Sequence, residues 1–386
     1  MPSLTRRNII LGAGGALLLA GTGAVYRVFR TADSAIAPWS AAHQQDQPQT
    51  PADVRLHAFR YAILAPNPHN RQPWIIRLIG SDEAEISCDL ARRLPQTDPF
   101  DRQITIGFGC FLAIAEIAAQ ERGYRIEAKE FPEGQTGERL DTRPIAALRF
   151  IKDASVNRDP LFAAILQRRS TKRPFDMQRA VTAASLRTIT AAASPGVVAS
   201  ATTDTGLVEK VRALAWQAWL IEAETPRTWG ETVELMRIGA PEINANPDGV
   251  SLGGPMLEAL SLAGQLDRIQ MADPQSTAFK TGRERYRTMI AATPAIFWLK
   301  AAGNTRIDQL AIGRSYVRLN LAATTQGIAV HPISQALQEF PEMADTRQKI
   351  DAVLGGEQVQ MLARLGYADA VPPTPRWPLA AKLTVL

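Results

Sequence analysis

The sequence predicts an α+β protein, and three observations carry that prediction. From residue 53 onward, short runs of strand character and longer helical runs follow one another, punctuated by Gly, Pro, Asn and Asp. The short runs 75–79 and 84–90 are joined by Gly80-Ser81-Asp82, as neighbouring strands are. The run 105–121, which includes Gly107, Gly109, Ala113, Ala115, Ala118 and Ala119, is small and apolar on nearly all sides, so it reads as a central helix buried among others. Its setting (an irregular stretch, a small-residue helix, a glycine, a strand) returns at 308–333, and the strand 145–151 is echoed by 294–300. Self-similarity at so large a period suggests duplication. The chain has 386 residues, 46% apolar and 21% charged, enough for a substantial core and ordinary for a globular enzyme.

Taken in order, residues 1–25 read as an export segment. Arg6 and Arg7 precede an apolar run from Ile9 to Val25, broken by glycines and short for a membrane span. Residues 26–52 carry Pro38, Pro48, Pro51 and a Gln-rich patch and read as a linker or extended arm. A helix is expected at 53–64. Then comes Ala65-Pro66-Asn67-Pro68-His69-Asn70-Arg71-Gln72-Pro73-Trp74, where the prolines fix φ and remove donors. This loop is stiff and polar, its Asn70 and Gln72 amides expected to be free for a ligand; an ordinary helix-to-strand connection is the alternative reading.

Strands are expected at 124–131 and 145–151 and helical turns at 161–167. Next is Arg168-Arg169-Ser170-Thr171-Lys172-Arg173-Pro174-Phe175. In an extended chain, residues two apart lie on one side, so Arg168, Ser170 and Lys172 can together hold a phosphate; a solvated basic stretch is the alternative. A helix at 182–193, a strand at 197–203 and a long helix at 205–223 follow, the last with Trp216 and Trp219 as core residues. Residues 225–285 are rich in Gly, Pro, Asn and Asp and read as an irregular excursion or lid with short helical pieces. A strand at 294–301, a helix at 308–326, a strand at 328–333, a helix at 343–354, a strand at 359–366 and a rigid Pro-rich tail at 372–378 complete the chain.

The net charge of +5 has little to do with nucleic acid. Residues 1–30 hold Arg6, Arg7, Arg27 and Arg30 and no acid, which leaves the remainder near +1 with no basic block interleaved with aromatics. Cys88 and Cys110 lack the spacing of a metal site and read as buried thiols. His43, His57, His69 and His331 are scattered, and no metal site is expected.

The loop resembles the flavin-contacting motif Pro-Ser-x-x-Asn-x-Gln-Pro-Trp of the nitroreductase family. Pro66, Asn70, Gln72, Pro73 and Trp74 match, while Asn67 and Pro68 replace small hydroxyl residues. Arg168, Ser170 and Lys172 resemble the family's second motif, Arg-Arg-Ser-x-Arg/Lys. His331-Pro332-Ile333-Ser334-Gln335 is similar to the segment beside the flavin ring, and Arg376 to a tail arginine on the phosphate. Thr5-Arg6-Arg7-Asn8-Ile9-Ile10 resembles a twin-arginine signal.

The resemblance implies a nitroreductase-like fold of mixed, mainly antiparallel sheets packed with helices. It implies FMN held by Pro66, Asn70, Gln72, Arg168, Ser170, Lys172, Ser334, Gln335 and Arg376; no catalytic residue is assigned. One chain carries one loop and one phosphate clamp, so the resemblance is to the fused, Acg-like branch: a first half at 53–157, a second at 158–386 with a lid at about 225–285, and a single FMN between them in a monomer. The activity implied is reduction of small nitroaromatic or quinone-like acceptors by NAD(P)H or another reductant. A flavin-sequestering protein with a closed lid is the alternative. The export segment implies passage through the twin-arginine machinery to the periplasm, with the segment either cut or kept as an anchor.

Overall fold

Two helices that cross at a pair of glycines organise the chain. In the computed structural model, which describes residues 31–44, 53–356 and 359–384, the Cα atoms of Gly109 and Gly313 face each other. A Cβ built on Gly109 would stand 2.1 Å from the Leu310 carbonyl oxygen, and one on Gly313 would meet the Ile106 carbonyl oxygen at 1.9 Å. Each contact thus runs to the carbonyl three residues before the partner glycine, so the crossing is reciprocal. No side chain fits there, which is why the two backbones approach so closely.

The helices are α1 (Asp33–Gln44), α2 (Val54–Ala62), α3 (Arg102–Glu121), α4 (Ala183–Thr190), α5 (Thr205–Glu224), α6 (Pro226–Glu234), α7 (Gly239–Ala245), α8 (Pro255–Leu262), α9 (Arg268–Ala272), α10 (Thr277–Ala291), α11 (Arg306–Thr324) and α12 (Ala344–Val353). The strands are β1 (Trp74–Ile79), β2 (Glu83–Cys88), β3 (Tyr124–Glu130), β4 (Ala146–Lys152), β5 (Val198–Thr202), β6 (Met236–Ile238), β7 (Val250–Leu252), β8 (Ala295–Lys300), β9 (Ala329–Pro332), β10 (Val359–Gly366) and β11 (Leu383–Thr384). One sheet has the order β11-β1-β2-β4-β3 and the other β5-β8-β10-β9. All their pairs are antiparallel except β1 with the C-terminal β11, where Ile76 lies opposite Leu383; the small β6–β7 pair is also parallel. The protein is therefore α+β with mainly antiparallel sheets, as expected.

The central helices carry matching anchors. Arg102 opens α3 and Arg306 opens α11, each seven residues before its glycine (102 to 109, 306 to 313). Arg102 is buried and donates to the Leu337 and Gln360 carbonyls, 2.6 and 2.8 Å away, beside β10. Arg306 donates to the Glu138 carbonyl, 2.8 Å away, and to the Thr105 hydroxyl of α3. Each arginine ties its helix to the side of the molecule that the other helix comes from. The start of α3 is capped by Asp98, whose carboxylate accepts from the Gln103 and Ile104 amides; burial nevertheless pushes its pKa up to about 6. Start of α11 is a capping box of Thr305 and Asp308. One core runs through both sheets, from Phe59, Trp74 and Phe111 to Phe297 and Tyr316.

Three expectations need correction. The segment 26–52 is not an extended arm where it is described, since 33–44 form α1. Its Ala35, Trp39 and Ala42 are buried, with Trp39 Nε1 donating to the Thr374 carbonyl and Ala35 accepting from the Arg376 amide, so tertiary burial overrides Pro38 inside the helix. Residues 225–285 are not irregular either. Pro226, Pro241 and Pro255 sit in the first turns of α6, α7 and α8, and Gly249 and Gly254 take positive φ between elements, as Gly239 does at the start of α7. These glycines and prolines punctuate short helices closed around their own core of Trp219, Trp229 and Phe279. Finally, β3 and β4 follow α3 as β9 and β10 follow α11, so the strand at 145–151 (β4) matches β10 by position, and 294–300 (β8) takes the place of β2 rather than echoing 145–151. The cysteines are free and buried, and Trp216 stacks on Trp219 at 5.3 Å. The export segment lies outside the described residues.

Replacing Gly109 or Gly313 by alanine should lower unfolding free energy by about 3 kcal/mol or more, the upper range for overpacking. The matched control is Gly230→Ala within α6, where a new Cβ meets nothing within 4 Å and stability should rise by about 0.5–1 kcal/mol. Urea titrations of the three variants check the contrast.

Candidate functional site

The loop between α2 and β1 holds an unusual backbone. His69, Asn70 and Gln72 all have positive φ (45°, 51° and 49°), a strained state for residues that carry a Cβ. Side-chain bonds hold it there. Asn67 Oδ1 accepts from the Gln72 amide at 2.7 Å, and Asn67 Nδ2 donates to the Ala65 carbonyl. Beneath the loop, Gly107 of α3 lets Asn67 and Pro68 approach closely. Pro66, at the loop's entry, is buried.

The amides of Asn70 and Gln72, expected to be free, are engaged within the chain. Gln72 is fully buried; its Nε2 donates to the Pro247 carbonyl (2.8 Å) and its Oε1 accepts from the Trp377 amide (2.9 Å). Asn70 Nδ2 donates to the Pro375 carbonyl and its Oδ1 accepts from Arg376. Lys382 adds a bond to the Gln72 carbonyl at 2.7 Å. The loop is thus tied to the C-terminal tail and to the turn before β7. Asp248 in that turn binds Arg71, Arg92 and Arg237, so the 225–285 region is held to the loop by charge as well.

Arg376 needs the same correction. It is buried, and all its donors are used: Nε on the Ile63 carbonyl, Nη1 on Asn70 Oδ1 and the Pro375 carbonyl, Nη2 on the Leu64 and Ala65 carbonyls. It closes the C-terminus of α2, where a cation is favoured, and has no N–H left for a phosphate.

Arg168 differs. Its Nη2 donates to the Leu64 carbonyl at 3.1 Å, but its buried Nη1 has no partner among the described residues. Burial, with the Arg169 charge, pushes its pKa down to about 10, opposed by Tyr316 and Cys110. Arg376 is lowered by burial and then by Arg168 and Arg169. Three guanidiniums therefore crowd together with no carboxylate partner among the described residues, against Trp39 of α1, whose ring lies 4.8 Å from Arg169, 5.6 Å from Arg376 and 5.9 Å from Arg168. An anion beside Arg168 would satisfy Nη1 and relieve the crowding.

From Arg168 the chain runs extended, with Ser170 bridging to Val330 and the Thr171 amide donating to the Val330 carbonyl. Arg364 fixes this run from behind. It is fully buried, donates to the Thr171 and Arg173 carbonyls at 2.8 and 2.7 Å, lies over the Phe175 ring and donates from Nε to His331 Nδ1. Four residues of strand span about 13 Å, so Arg168 and Lys172 mark the ends of a row as long as a mononucleotide with an extended polyol. Lys172 is exposed to solvent. Desolvation lowers its pKa; Glu222 opposes that and Arg285 adds to it.

Around Lys172 lie His69, Glu222 and His331. Burial, then Lys172 and Arg71, push His69 down to about 4, and burial, Arg364 and Lys172 hold His331 neutral. Burial pushes Glu222 up to about 7. Ser334 and Gln335 are half-buried on the turn after β9, with Gln335 beside Tyr286.

Sequence reading missed Trp39, Arg364, Glu222 and Thr232. The one available signal was Arg364, a lone charge within the apolar strand β10.

No protein-family model matches the chain. It is 26% identical over 328 residues, 82% of this chain and 86% of the relative, to a Mycobacterium tuberculosis protein provisionally named as an NAD(P)H nitroreductase. It is 24% identical over 343 residues to an uncharacterized protein of the same species, covering 85% of this chain and 92% of that one. Among solved structures it is similar to the FMN-dependent nitroreductase NfnB of Mycobacterium smegmatis in complex with NADPH, with 21% identity, 56% of this chain and 94% of that one covered, and a TM-score of 0.35.

Arg376→Ala should remove about 3–5 kcal/mol of stability in urea titration, because several buried acceptors lose their donor. Arg376→Lys should not restore it, since one ammonium cannot reach them all. Glu222 carries a signed pH dependence. Its folded pKa lies above the ordinary 4.5, so its favourable contribution is complete below 4.5 and is lost as pH rises through about 7. Relative to wild type, Glu222→Gln should gain on the order of 3 kcal/mol between pH 4 and pH 8, read from urea midpoints across that range.

Proposed function

We propose that the chain is an FMN-dependent oxidoreductase of nitroreductase type that passes electrons from a reduced nicotinamide to small nitroaromatic or quinone-like acceptors. The observation that carries this reading is the row Arg168, Ser170 and Lys172, which begins at a buried guanidinium nitrogen without a partner among the described residues. The relative provisionally named as an NAD(P)H nitroreductase, matched along most of both chains, supports it.

In this reading Arg168 holds the phosphate through Nη1, Ser170 adds a hydroxyl, and Lys172 meets the polar edge of the ring. Ser334 and Gln335 flank the ring. Asn70, Gln72 and Arg376 hold the loop and tail in place rather than touching the phosphate, and Pro66 starts the turn. Bound FMN supplies the two-electron chemistry; the chain supplies position and charge. A positive group such as Lys172 favours electron uptake beside it. The helices of 225–285 exclude water from that side.

The same proposal treats the chain as two fused halves, 53–157 and 158–386, that build one site from the loop of one and the phosphate-binding row of the other. A monomer then holds one FMN. Residues 1–25 act as a twin-arginine export signal, and the protein works in the periplasm.

Purified protein should be yellow, with one FMN per chain in a monomer. Arg168→Ala and Lys172→Ala should each weaken FMN about ten- to hundredfold in a fluorescence titration, the loss of one charge-assisted hydrogen bond. Unchanged affinity in both variants would overturn the assignment of the row.

A further inference from the structure

A second group of side chains beside Lys172 does not touch the phosphate-binding row. Glu222 of α5 is buried and makes no ion pair among the described residues. Its Oε2 accepts from Gln338 Nε2 at 3.0 Å, and its Oε1 is 3.3 Å from the Thr232 hydroxyl of α6. That hydroxyl is 3.2 Å from His69 Nε2. Two consecutive helices and a loop far away in sequence thus line up carboxyl, hydroxyl and imidazole. A buried carboxyl with only neutral hydrogen-bond partners is costly to keep, and such groups concentrate at functional sites.

We propose that Glu222, Thr232 and His69 form a proton-delivery chain to the acceptor bound beside Lys172. This rests on the FMN reading, in which electrons arrive as hydride. A quinone takes one hydride and one proton to become a hydroquinone; a nitro group takes the same pair to become nitroso plus water. The hydride comes from the reduced cofactor, and the proton needs its own source.

The chain supplies it in balance. The Glu222 O–H bond breaks as a proton passes to Thr232 Oγ1. The Thr232 proton passes to His69 Nε2, and the His69 Nδ1–H bond breaks as an O–H bond forms on the acceptor. Glu222 is left as carboxylate and is reprotonated from water. His69 must be neutral, with Nε2 as acceptor and Nδ1 as donor; its burial and the Lys172 and Arg71 charges favour the neutral ring. Gln338 occupies Oε2 and so leaves Oε1 to Thr232. The charged and titratable groups facing Glu222 are Glu231, which raises its pKa, Lys172, which lowers it, and Tyr286. With a pKa of about 7, Glu222 can both give and regain the proton near neutral pH.

The decisive variants are Thr232→Val, which keeps shape and removes the hydroxyl, and Thr232→Ser, which restores it. FMN-loaded protein is reduced with dithionite and mixed with either benzoquinone, which takes up protons, or ferricyanide, which takes up electrons alone. Thr232→Val should slow benzoquinone about a hundredfold, leave ferricyanide unaffected and be rescued by Thr232→Ser. Equal slowing of both oxidants, or of neither, overturns the proposal. Infrared titration gives a readout independent of turnover and of flavin. A carboxyl band with a midpoint near 7 should be present in wild type and missing in Glu222→Gln; its absence from wild type also overturns the proposal. Protein that holds no FMN refutes the oxidoreductase reading and leaves the infrared result to judge the carboxyl by itself.

Discussion

Everything in this molecule depends on how closely α3 and α11 approach at Gly109 and Gly313. The approach excludes side chains and sets each backbone against the other's carbonyl. It places Arg102 and Arg306, equally spaced from the crossing, where each can satisfy carbonyls beyond the partner helix. It also places Gly107 under the loop after α2 and brings the sheet of β8, β9 and β10 into one core with that of β1 and β2. The row from Arg168 to Lys172 meets the strained loop because β9, which holds Ser170, lies beside this crossing. Widening the crossing by a methyl group would move the two sides of the site apart.

Charge is distributed by a second constraint. Around the loop, cations outnumber the carboxylates that reach them. Asp248 answers Arg71, Arg92 and Arg237, with Asp89 also reaching Arg92, and Arg376 is satisfied by carbonyls at a helix end. Arg168 and Lys172 remain with donors to spare and mark the two ends of an extended segment that Arg364 locks in place. The opposite imbalance is found at Glu222, an acid among neutral partners. The proposed anion site and proton chain draw on these two arrangements in turn.

The resemblance to a known family pointed to segments in which the structure shows several of the named side chains already engaged within the chain. Pro66, Asn70, Gln72 and Pro73 do form a stiff loop, yet the Asn70 and Gln72 amides face the protein's own tail. Nothing in the local sequence says that Pro375, Arg376 and Trp377 return to that place from three hundred residues away. Likewise Trp39 lies in a segment whose prolines and glutamines read as linker, and only its burial against Thr374 and three arginines makes it a helix. In 225–285, frequent Gly and Pro were legible as breaks, but a break between helices and a break within a loop look alike until their φ values and packing partners are known.

By itself the sequence determined what short-range physics decides: the periodicity of the central helices, the glycines that end them, the hairpin at Gly80, the stiffness of 65–74 and the alternation of Arg168, Ser170 and Lys172. These depend on residues a few positions apart, so a linear reading reaches them. Only the tertiary structure decided which donors are already satisfied, why Arg376 is a strut while Arg168 has a nitrogen to offer, and that Glu222, Thr232 and His69 stand in line. Most of the hydrogen bonds behind those facts join residues more than a hundred positions apart, and whether a buried polar group is free or engaged is settled by its partners, not by its neighbours in sequence.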